Sequence, residues 1–166
     1  MSSLYARALT TSPRCVTFTI ANDADAMLGA WLCWKRWGEE EGNEVDSAGF
    51  VGDFCAKRES GTFVQIVGWD GAEPVAMVEL RTVYDAIFRK QTLYGDHAWV
   101  HPDYRKAGVM RALVQYCIDT ANVMGAEKWM VPVTAGDDAS APWLEKVYRE
   151  FGFKLSGITM TRKVAP

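Results

Sequence analysis

The sequence lacks an excess of positive charge and has few side chains that commonly bind metal ions. Eighteen Lys and Arg residues against 21 Asp and Glu residues give a formal net charge of −3, whereas a nucleic-acid-binding domain usually presents a basic face. Its two histidines, His97 and His101, lie in a predicted strand, where a rise of about 3.3 Å per residue places their rings roughly 13 Å apart. We therefore expect neither a nucleic-acid partner nor a metal site.

Cysteines and long apolar runs are also scarce. The sequence has no C-x-x-C pair, which is typical of free thiols in a reducing compartment; its four cysteines are Cys15, Cys33, Cys55 and Cys117. No apolar run approaches the ~20 residues that cross a bilayer, and residues 1–14 lack the apolar core of a signal peptide. We expect a soluble cytoplasmic protein without membrane contact, in which residues 1–14 form a leader and residues 15–166 form a single domain.

The sequence does contain regular apolar periodicity, and its 49% of hydrophobic residues suffices for the core of one domain. The predicted strands cover residues 15–20, 62–68, 74–83, 92–100, 129–133 and 153–163, and the predicted helices cover residues 23–38, 47–58, 109–124 and 140–150. The order β-α-α-β-β-β-α-β-α-β begins as an antiparallel meander and ends with strand and helix alternating. It predicts an α/β fold with a central mixed sheet and helices on both faces.

Several local features refine this prediction. Asn22 is expected to cap the first helix, and the acidic segment 39–43 is expected to form a solvated turn after it. The pair Asp70-Gly71 predicts a hairpin turn, whereas residues 84–91 are expected to form a longer connection. Gly95 interrupts a predicted strand and therefore predicts a bulge.

The segment from Trp99 to Leu113 carries the strongest chemical signal. An apolar strand ends at a proline, and two basic residues, Arg105 and Lys106, precede Gly108 and a helix that starts at once. A helix start leaves about four amides without intrahelical partners and carries roughly half a positive charge. Glycine lets an anion approach the backbone, so the segment suits a pyrophosphate. An ordinary strand-to-helix connection with two surface cations explains the pattern equally well.

Two motifs resemble those of a known family. The pattern V-x-P-x-x-R-x-x-G-V at residues 100–109 resembles the coenzyme A-binding signature of GNAT acetyltransferases, whose core is R/Q-x-x-G-x-G/A. The pattern L-x-x-V-Y-x-x-x-G-F at residues 144–153 resembles the L-Y-x-x-x-G-F ending of that family. Two motifs in the right order are more specific than either alone. The chain departs from the family at Met110, where Gly or Ala is usual, and at residues 137–140, where many relatives carry Asn.

The resemblance implies acetyl transfer from acetyl-CoA, as co-substrate, to an amine. In relatives the strand before the loop separates from the following strand, and the pantetheine arm enters that gap. Carried over, the arm would contact Ala98, Trp99 and Val100, whose backbone groups would polarise the thioester carbonyl. The pyrophosphate would be bound by Arg105, Lys106, Ala107, Gly108, Val109, Met110 and Arg111.

The resemblance also implies catalytic groups. Tyr148 matches the tyrosine that protonates the departing thiolate in many relatives; a thiol pKa of about 8.5 and a phenol pKa of about 10 suit that transfer. A plain aromatic on the inner face of its helix is the alternative. Asp96 matches a position that is often acidic and would act as general base through water, or is merely solvated. His97 is the alternative base, because histidine titrates near neutral pH.

The acceptor would lie against the first two helices and the connection Tyr84–Lys90. The acidic residues there favour a cationic acceptor, although such a run is more often a solvated loop; they are Glu39, Glu40, Glu41, Glu44 and Asp46. Three functions stay open. The first is an N-acetyltransferase for a primary amine of a small molecule or protein, as a monomer, homodimer or larger assembly. The others are a catalytically inactive structural or assembly protein, for example in a viral particle, and a non-catalytic acyl-CoA-binding module.

Overall fold

The computed structural model describes residues 15–87, 89–131 and 141–154. The chain divides into two compact units, Met1–Val131 and Pro132–Pro166. The elements are β1 (Val16–Ile20), α1 (Ala24–Glu41), α2 (Ser47–Glu59), β2 (Phe63–Asp70), β3 (Glu73–Asp85), β4 (Lys90–Val100), a short 3-10 turn (Pro102–Tyr104), α3 (Val109–Val123), β5 (Lys128–Met130) and α4 (Ala141–Glu150). The predicted leader lies outside the described residues, and the single domain over residues 15–166 stays a prediction.

The first unit contains a five-stranded sheet in the order β1-β2-β3-β4-β5. Neighbours from β1 to β4 are antiparallel, and β5 is parallel to β4. Helix α3 connects these two parallel strands, because a parallel pair requires a crossover connection. The predicted α/β class with a mixed sheet is confirmed.

Helices cover both faces of this sheet. On one face, α1 and α2 form an apolar cluster with Val67 of β2, and α1 contributes Cys33 to a second cluster with Met77 and Trp99. On the other face, the ring of Tyr116 in α3 lies 5.6 Å from that of Phe18 in β1. Thr19 of β1 pairs with Val67 and points to the same face, and Phe18 is the residue before Thr19. Because consecutive strand residues point to opposite faces, Phe18 and Val67 lie on different faces of the sheet.

Aspartates cap the starts of α1 and α2. The Asp23 carboxylate accepts a hydrogen bond of 2.8 Å from the Ala26 amide at the start of α1. The Asp46 carboxylate accepts hydrogen bonds from the first amides of α2. The predicted cap Asn22 is therefore wrong by one residue. Asp23 takes the role because its carboxylate reaches an amide three residues ahead, which is the usual geometry of a cap.

Helix α1 also continues through the acidic segment that was predicted to be a turn. Glu39 forms an ion pair with Lys35, and Glu41 accepts a hydrogen bond from the Trp37 indole, both one helical turn back. Such pairs stabilise a helix. The helix ends at Gly42, whose φ of 72° is left-handed. Glu39, Glu40 and Glu41 therefore belong to α1, and the prediction of a turn over these three residues is wrong.

The turn at Asp70-Gly71 is confirmed, since it joins the antiparallel strands β2 and β3. The connection predicted over residues 84–91 is shorter than expected, because β3 and β4 pair as far as Asp85 and Lys90. The predicted irregularity near Gly95 is present. Leu80 pairs with Gly95 and Glu79 pairs with His97, which leaves Asp96 as the extra residue of a bulge.

Strand β5 begins one residue before the predicted range 129–133 and ends at Met130. Residues 132 and 133 of that prediction lie outside the described residues. In the second unit, α4 is followed by Gly152 at a φ of 84°, as predicted. The strand predicted over 153–163 begins with two residues that are not in a strand, and the rest lies outside the described residues. None of the helices in the described ranges is both long and apolar enough to cross a membrane.

Candidate functional site

The loop between β4 and α3 is shaped by a tight turn and a glycine. The His101 ring accepts a hydrogen bond of 3.3 Å from the Asp103 amide and so caps the 3-10 turn. The chain then reaches Gly108, whose φ of 81° is left-handed and unfavourable for a residue with a Cβ. A Cβ built there would meet no atom within 4 Å. Glycine is therefore required by the backbone conformation, and the space beside it is open.

The start of α3 offers backbone amides to an anion. The first intrahelical hydrogen bond runs from the Ala112 amide to the Gly108 carbonyl, at 3.1 Å. The amides of Val109 and Met110 precede it, and no side chain caps this helix start. The Met110 side chain is buried, with 8% exposed, so it does not extend into solvent over the loop. A helix start with such amides suits an anion.

Arg105 forms hydrogen bonds with β4 and α1. Its Nε donates to the Val100 carbonyl at 3.0 Å, and its Nη2 donates to both Glu40 oxygens at 2.5 and 2.6 Å. The Trp99 indole also donates to Glu40, at 2.9 Å. Burial by itself raises the pKa of the Glu40 carboxyl, but the hydrogen bonds from Arg105 and Trp99 and the charge of Arg105 lower it below its ordinary value. Of the other predicted loop residues, Lys106 is exposed.

The second half of β4 is free of β5 over the described residues. β5 pairs with β4 at Thr92, Leu93 and Tyr94. A Cβ at Gly95 would lie 2.9 Å from a Val131 methyl group, so this glycine leaves room for the chain that follows β5. Residues 98–100, for which the resemblance implied a separated strand, come after this point and pair with β3 on their other side.

Asp96, the predicted base, lies in the bulge of β4. Its carboxylate accepts hydrogen bonds from Arg81, from Nε at 3.1 Å and from Nη2 at 3.3 Å. The same guanidinium lies over the Tyr94 ring, 5.6 Å from its centre. Asp96 is therefore an ion-paired carboxylate in this structure.

His97 instead lines a cavity of about 240 Å³ between α1, α2 and the sheet. Its ring lies 5.0 Å from that of Trp34 and 5.7 Å from that of Trp37. Its Nδ1 is 3.9 Å from Oε2 of Glu79, a buried carboxylate of β3. The cavity has an aromatic wall formed by Trp34, Phe50, Phe54 and Phe63, and polar residues Asp46, Asp53, Lys57, Gln65, Glu79 and His97.

Lys57 connects the acidic residues of this cavity. Its ammonium lies 2.6 Å from Glu79 Oε1 and 2.7 Å from Asp53 Oδ2. Burial by itself lowers the pKa of Lys57, but hydrogen bonds with Asp53 and Glu79 and their negative charges raise it above its ordinary value. Sequence reasoning missed Glu79 and Lys57. The available signal was position, because Glu79 lies two residues after the apolar Met77 and so on the same sheet face.

Tyr148, the predicted general acid, lies in the second unit on α4. It is buried, and its ring lies 5.2 Å from that of Phe153. Residues 137–140, where many relatives carry Asn, are outside the described residues. Within the described residues, no group of three or more His, Cys, Asp or Glu side chains is arranged to bind a metal ion.

Comparisons with known proteins agree with this architecture. Many solved structures share the fold. A transcriptional regulator from Bacillus halodurans C-125 has 18% identity and a TM-score of 0.72 over 90% of this chain and 99% of that chain. AAC(6')-Iy in complex with the bisubstrate analogue CoA-S-monomethyl-acetylneamine has 10% identity and a TM-score of 0.71 over 91% and 99%. An aminoglycoside acetyltransferase, meta-AAC0020, from an uncultured soil metagenomic sample, in complex with sisomicin, has 12% identity and a TM-score of 0.68 over 89% and 97%. No curated protein is significantly similar in sequence. Residues 28–153 match the sequence profile of the acetyltransferase (GNAT) family. The chain therefore belongs to the GNAT acetyltransferase family.

Proposed function

We propose that this protein is an enzyme that transfers the acetyl group of acetyl-CoA to a primary amine of a small molecule or a protein. The observation that carries the proposal is the start of α3, where a left-handed glycine with open space beside it precedes amides that no side chain caps. Family membership and the shared fold with a protein solved with a CoA-containing analogue support it.

Bound acetyl-CoA would supply the acetyl thioester, and the loop would bind its diphosphate. In this proposal the amides of Gly108, Val109 and Met110 donate to the phosphate oxygens, and the exposed Lys106 adds positive charge. Arg105 has a second task, because its ion pair with Glu40 holds the loop to α1. The buried Met110 side chain leaves this arrangement possible despite the departure from the family motif.

The pantetheine arm would lie along the half of β4 that β5 does not pair with. Strand groups of Ala98, Trp99 and Val100 would position the thioester there, on the edge beyond the last described β4–β5 pair at Tyr94. An oriented amide acts on a developing oxyanion without reorganisation, which is why such a strand edge suits acyl transfer.

His97 is the better candidate for the general base. It directly precedes Ala98 and lines the cavity, whereas Asp96 is bound to Arg81. An acceptor ammonium would first give a proton to His97, which frees the lone pair of its nitrogen. The neutral amine would then attack the thioester carbonyl carbon, its second proton would pass to solvent, and the C–S bond would break. Tyr148 would then donate its phenolic proton to the departing thiolate.

Release of free CoA thiol in the presence of an amine tests the function. We expect wild-type protein to release thiol only when acetyl-CoA and an acceptor are both present. His97→Gln and Tyr148→Phe should each lower kcat by at least about 100-fold, the smaller end of general acid–base contributions. Asp96→Asn is the matched control at the neighbouring position. A larger loss in Asp96→Asn than in His97→Gln would assign the base to Asp96 instead.

Two other outcomes would replace the proposal. Acetyl-CoA binding without thiol release, over a broad set of amines, would make the protein an acyl-CoA-binding module. Absence of both would make it a structural member of the family. We also propose a cytoplasmic location, which fits four cysteines that are all free thiols.

A further inference from the structure

The cavity between α1, α2 and the sheet has features that select among amines. We propose that it binds the acceptor, and that the acceptor is a small primary amine with a single positive charge and an aromatic or similarly apolar body. This inference rests on the proposed acetyltransferase function. It narrows that function, because membership of the family does not specify the amine.

The apolar part of the cavity is preformed. The Phe54 ring lies 5.8 Å from the rings of both Phe50 and Phe63, and it is nearly perpendicular to Phe63, with an interplanar angle of 87°. Aromatic rings that pack on one another in this way have fixed positions and present an apolar surface. Trp34 closes the wall beside His97. An amine with an apolar body would bury that body here without reordering the wall.

The charge of the cavity is negative. Lys57 is the ammonium that lies between Asp53 and Glu79, so two carboxylates share one positive charge. Asp46 adds a third carboxylate, which also caps α2. One ammonium against three carboxylates leaves an excess of negative charge around His97. A desolvated carboxylate such as Glu79 attracts a cation more strongly than an exposed one does.

The cavity is also small. Its volume of about 240 Å³ lies below the roughly 300–1,000 Å³ of pockets for drug-sized ligands. Three of the acidic residues that were expected to favour a cationic acceptor form contacts outside this cavity. Glu39 pairs with Lys35, Glu40 pairs with Arg105, and Glu41 accepts a hydrogen bond from Trp37. One ammonium would lie near His97 beside Asp53 and Glu79, whereas the further ammonium groups of a polyamine would lie along the aromatic wall, where a buried charge without a partner is costly.

The first test compares acceptors by thiol release at saturating acetyl-CoA. The panel is 2-phenylethylamine, hexylamine, the polyamine spermidine and the aminoglycoside sisomicin. We expect kcat/KM to be at least tenfold higher for 2-phenylethylamine and hexylamine than for spermidine and sisomicin. Faster turnover of spermidine or sisomicin would overturn the acceptor assignment and leave the acetyltransferase function standing.

The second test removes the negative charge. Glu79→Gln should raise the KM for 2-phenylethylamine by about tenfold, the effect of losing one hydrogen-bonded charge, and leave the KM for acetyl-CoA unchanged. Asp53→Asn, on a more exposed carboxylate, should act in the same direction and covers the case in which Glu79→Gln does not fold. The control is Glu73→Gln, which removes an exposed carboxylate paired with Arg36 outside the cavity.

A measurement of direct binding distinguishes amine binding in the cavity from acetyl transfer. Calorimetry with 2-phenylethylamine and no acetyl-CoA should show binding that weakens in Glu79→Gln and stays unchanged in Glu73→Gln. This result without thiol release would mean that the cavity assignment holds and the acetyl transfer does not. An affinity that is equal in wild type and Glu79→Gln would overturn the assignment of the cavity.

Discussion

Glu40 connects three parts of the first unit through one carboxylate. It accepts hydrogen bonds from Arg105 in the loop before α3 and from Trp99 in β4, while it belongs to α1. The guanidinium of Arg105, which belongs to the family motif, is therefore neutralised by a carboxylate of α1 that lies 65 residues earlier in the sequence. This contact links the loop to the helix that contributes Trp34 to the cavity.

We predict that Glu40→Gln lowers stability and tightens acetyl-CoA binding. The loss of the ion pair should cost about 0.5–1 kcal/mol, since both side chains are partly exposed to solvent. The released positive charge of Arg105 should lower the Kd for acetyl-CoA severalfold. Denaturant unfolding and calorimetry measure the two effects. Glu39→Gln is the control, because Glu39 forms an exposed ion pair with Lys35 within α1. Weaker acetyl-CoA binding in Glu40→Gln would contradict the prediction.

The difference in stability between the wild type and Glu40→Gln should depend on pH, and the direction of this dependence follows from the pKa of Glu40. The pKa of the Glu40 carboxyl is lower in the folded protein than in the unfolded chain, once the hydrogen bonds from Arg105 and Trp99 outweigh the effect of burial. Its stabilisation is therefore present above the ordinary glutamate pKa of about 4.3 and is lost as the pH falls through the lowered value. The stability gap between wild type and Glu40→Gln should close in acid.

The four thiols should differ in reactivity. Burial raises the pKa of Cys33 to about 12, although the charge of Arg36 opposes this, and burial raises the pKa of Cys117 as well. Cys15 and Cys55 are exposed. In a timed alkylation followed by mass spectrometry, we expect Cys15 and Cys55 to react in the native protein and the other two only after unfolding. Rapid alkylation of Cys33 in native protein would show that the packing of α1 against Met77 and Trp99 does not protect this thiol.

At the scale of elements, the start and the end of α3 allow a matched comparison. Gly108 and Gly125 both have a left-handed backbone, with φ of 81° and 70°, and open space where a Cβ would stand. Alanine at either position should cost about 1–2 kcal/mol of stability. We predict that only Gly108→Ala weakens acetyl-CoA binding, measured by calorimetry. Equal affinities in the two variants would show that the start of α3 does not bind the cofactor.

The sequence predicts elements well where the signal is local. Periodicity locates every helix and strand that the structure describes in the first unit, and Gly125 follows the end of α3 as predicted, whereas α1 continues past its predicted end at residue 38. Errors occur where two local signals compete. Asn22 and Asp23 both suit a cap, and an acidic run suits either a turn or a helix end that side-chain pairs extend.

The sequence predicts a candidate site only where a contiguous motif defines it. The loop around Gly108 is a single stretch of sequence, so its glycine and helix start can be read directly. The partners Glu40 and Arg105 are 65 residues apart, and Lys57 and Glu79 are 22 apart. Neither pair follows from spacing or composition, because sheet pairing and helix packing bring them together.

At the scale of the whole molecule, ligand binding and folding are coupled. A ligand that binds only the folded state at 100 times its Kd adds about 2.7 kcal/mol of stability. A chain of 166 residues gains roughly 2–4 °C in Tm per kcal/mol, so saturating acetyl-CoA should raise Tm by about 5–11 °C.

This shift reports the cofactor site independently of any acceptor. It should persist in His97→Gln and Tyr148→Phe, whose proposed tasks concern protons and not cofactor binding. It should shrink in Gly108→Ala relative to Gly125→Ala, because only the first change alters the amides that would bind the diphosphate. Differential scanning calorimetry with and without acetyl-CoA makes the comparison. An unchanged Tm in the wild-type protein would show that acetyl-CoA does not bind, and the uncapped start of α3 would then not be a diphosphate site.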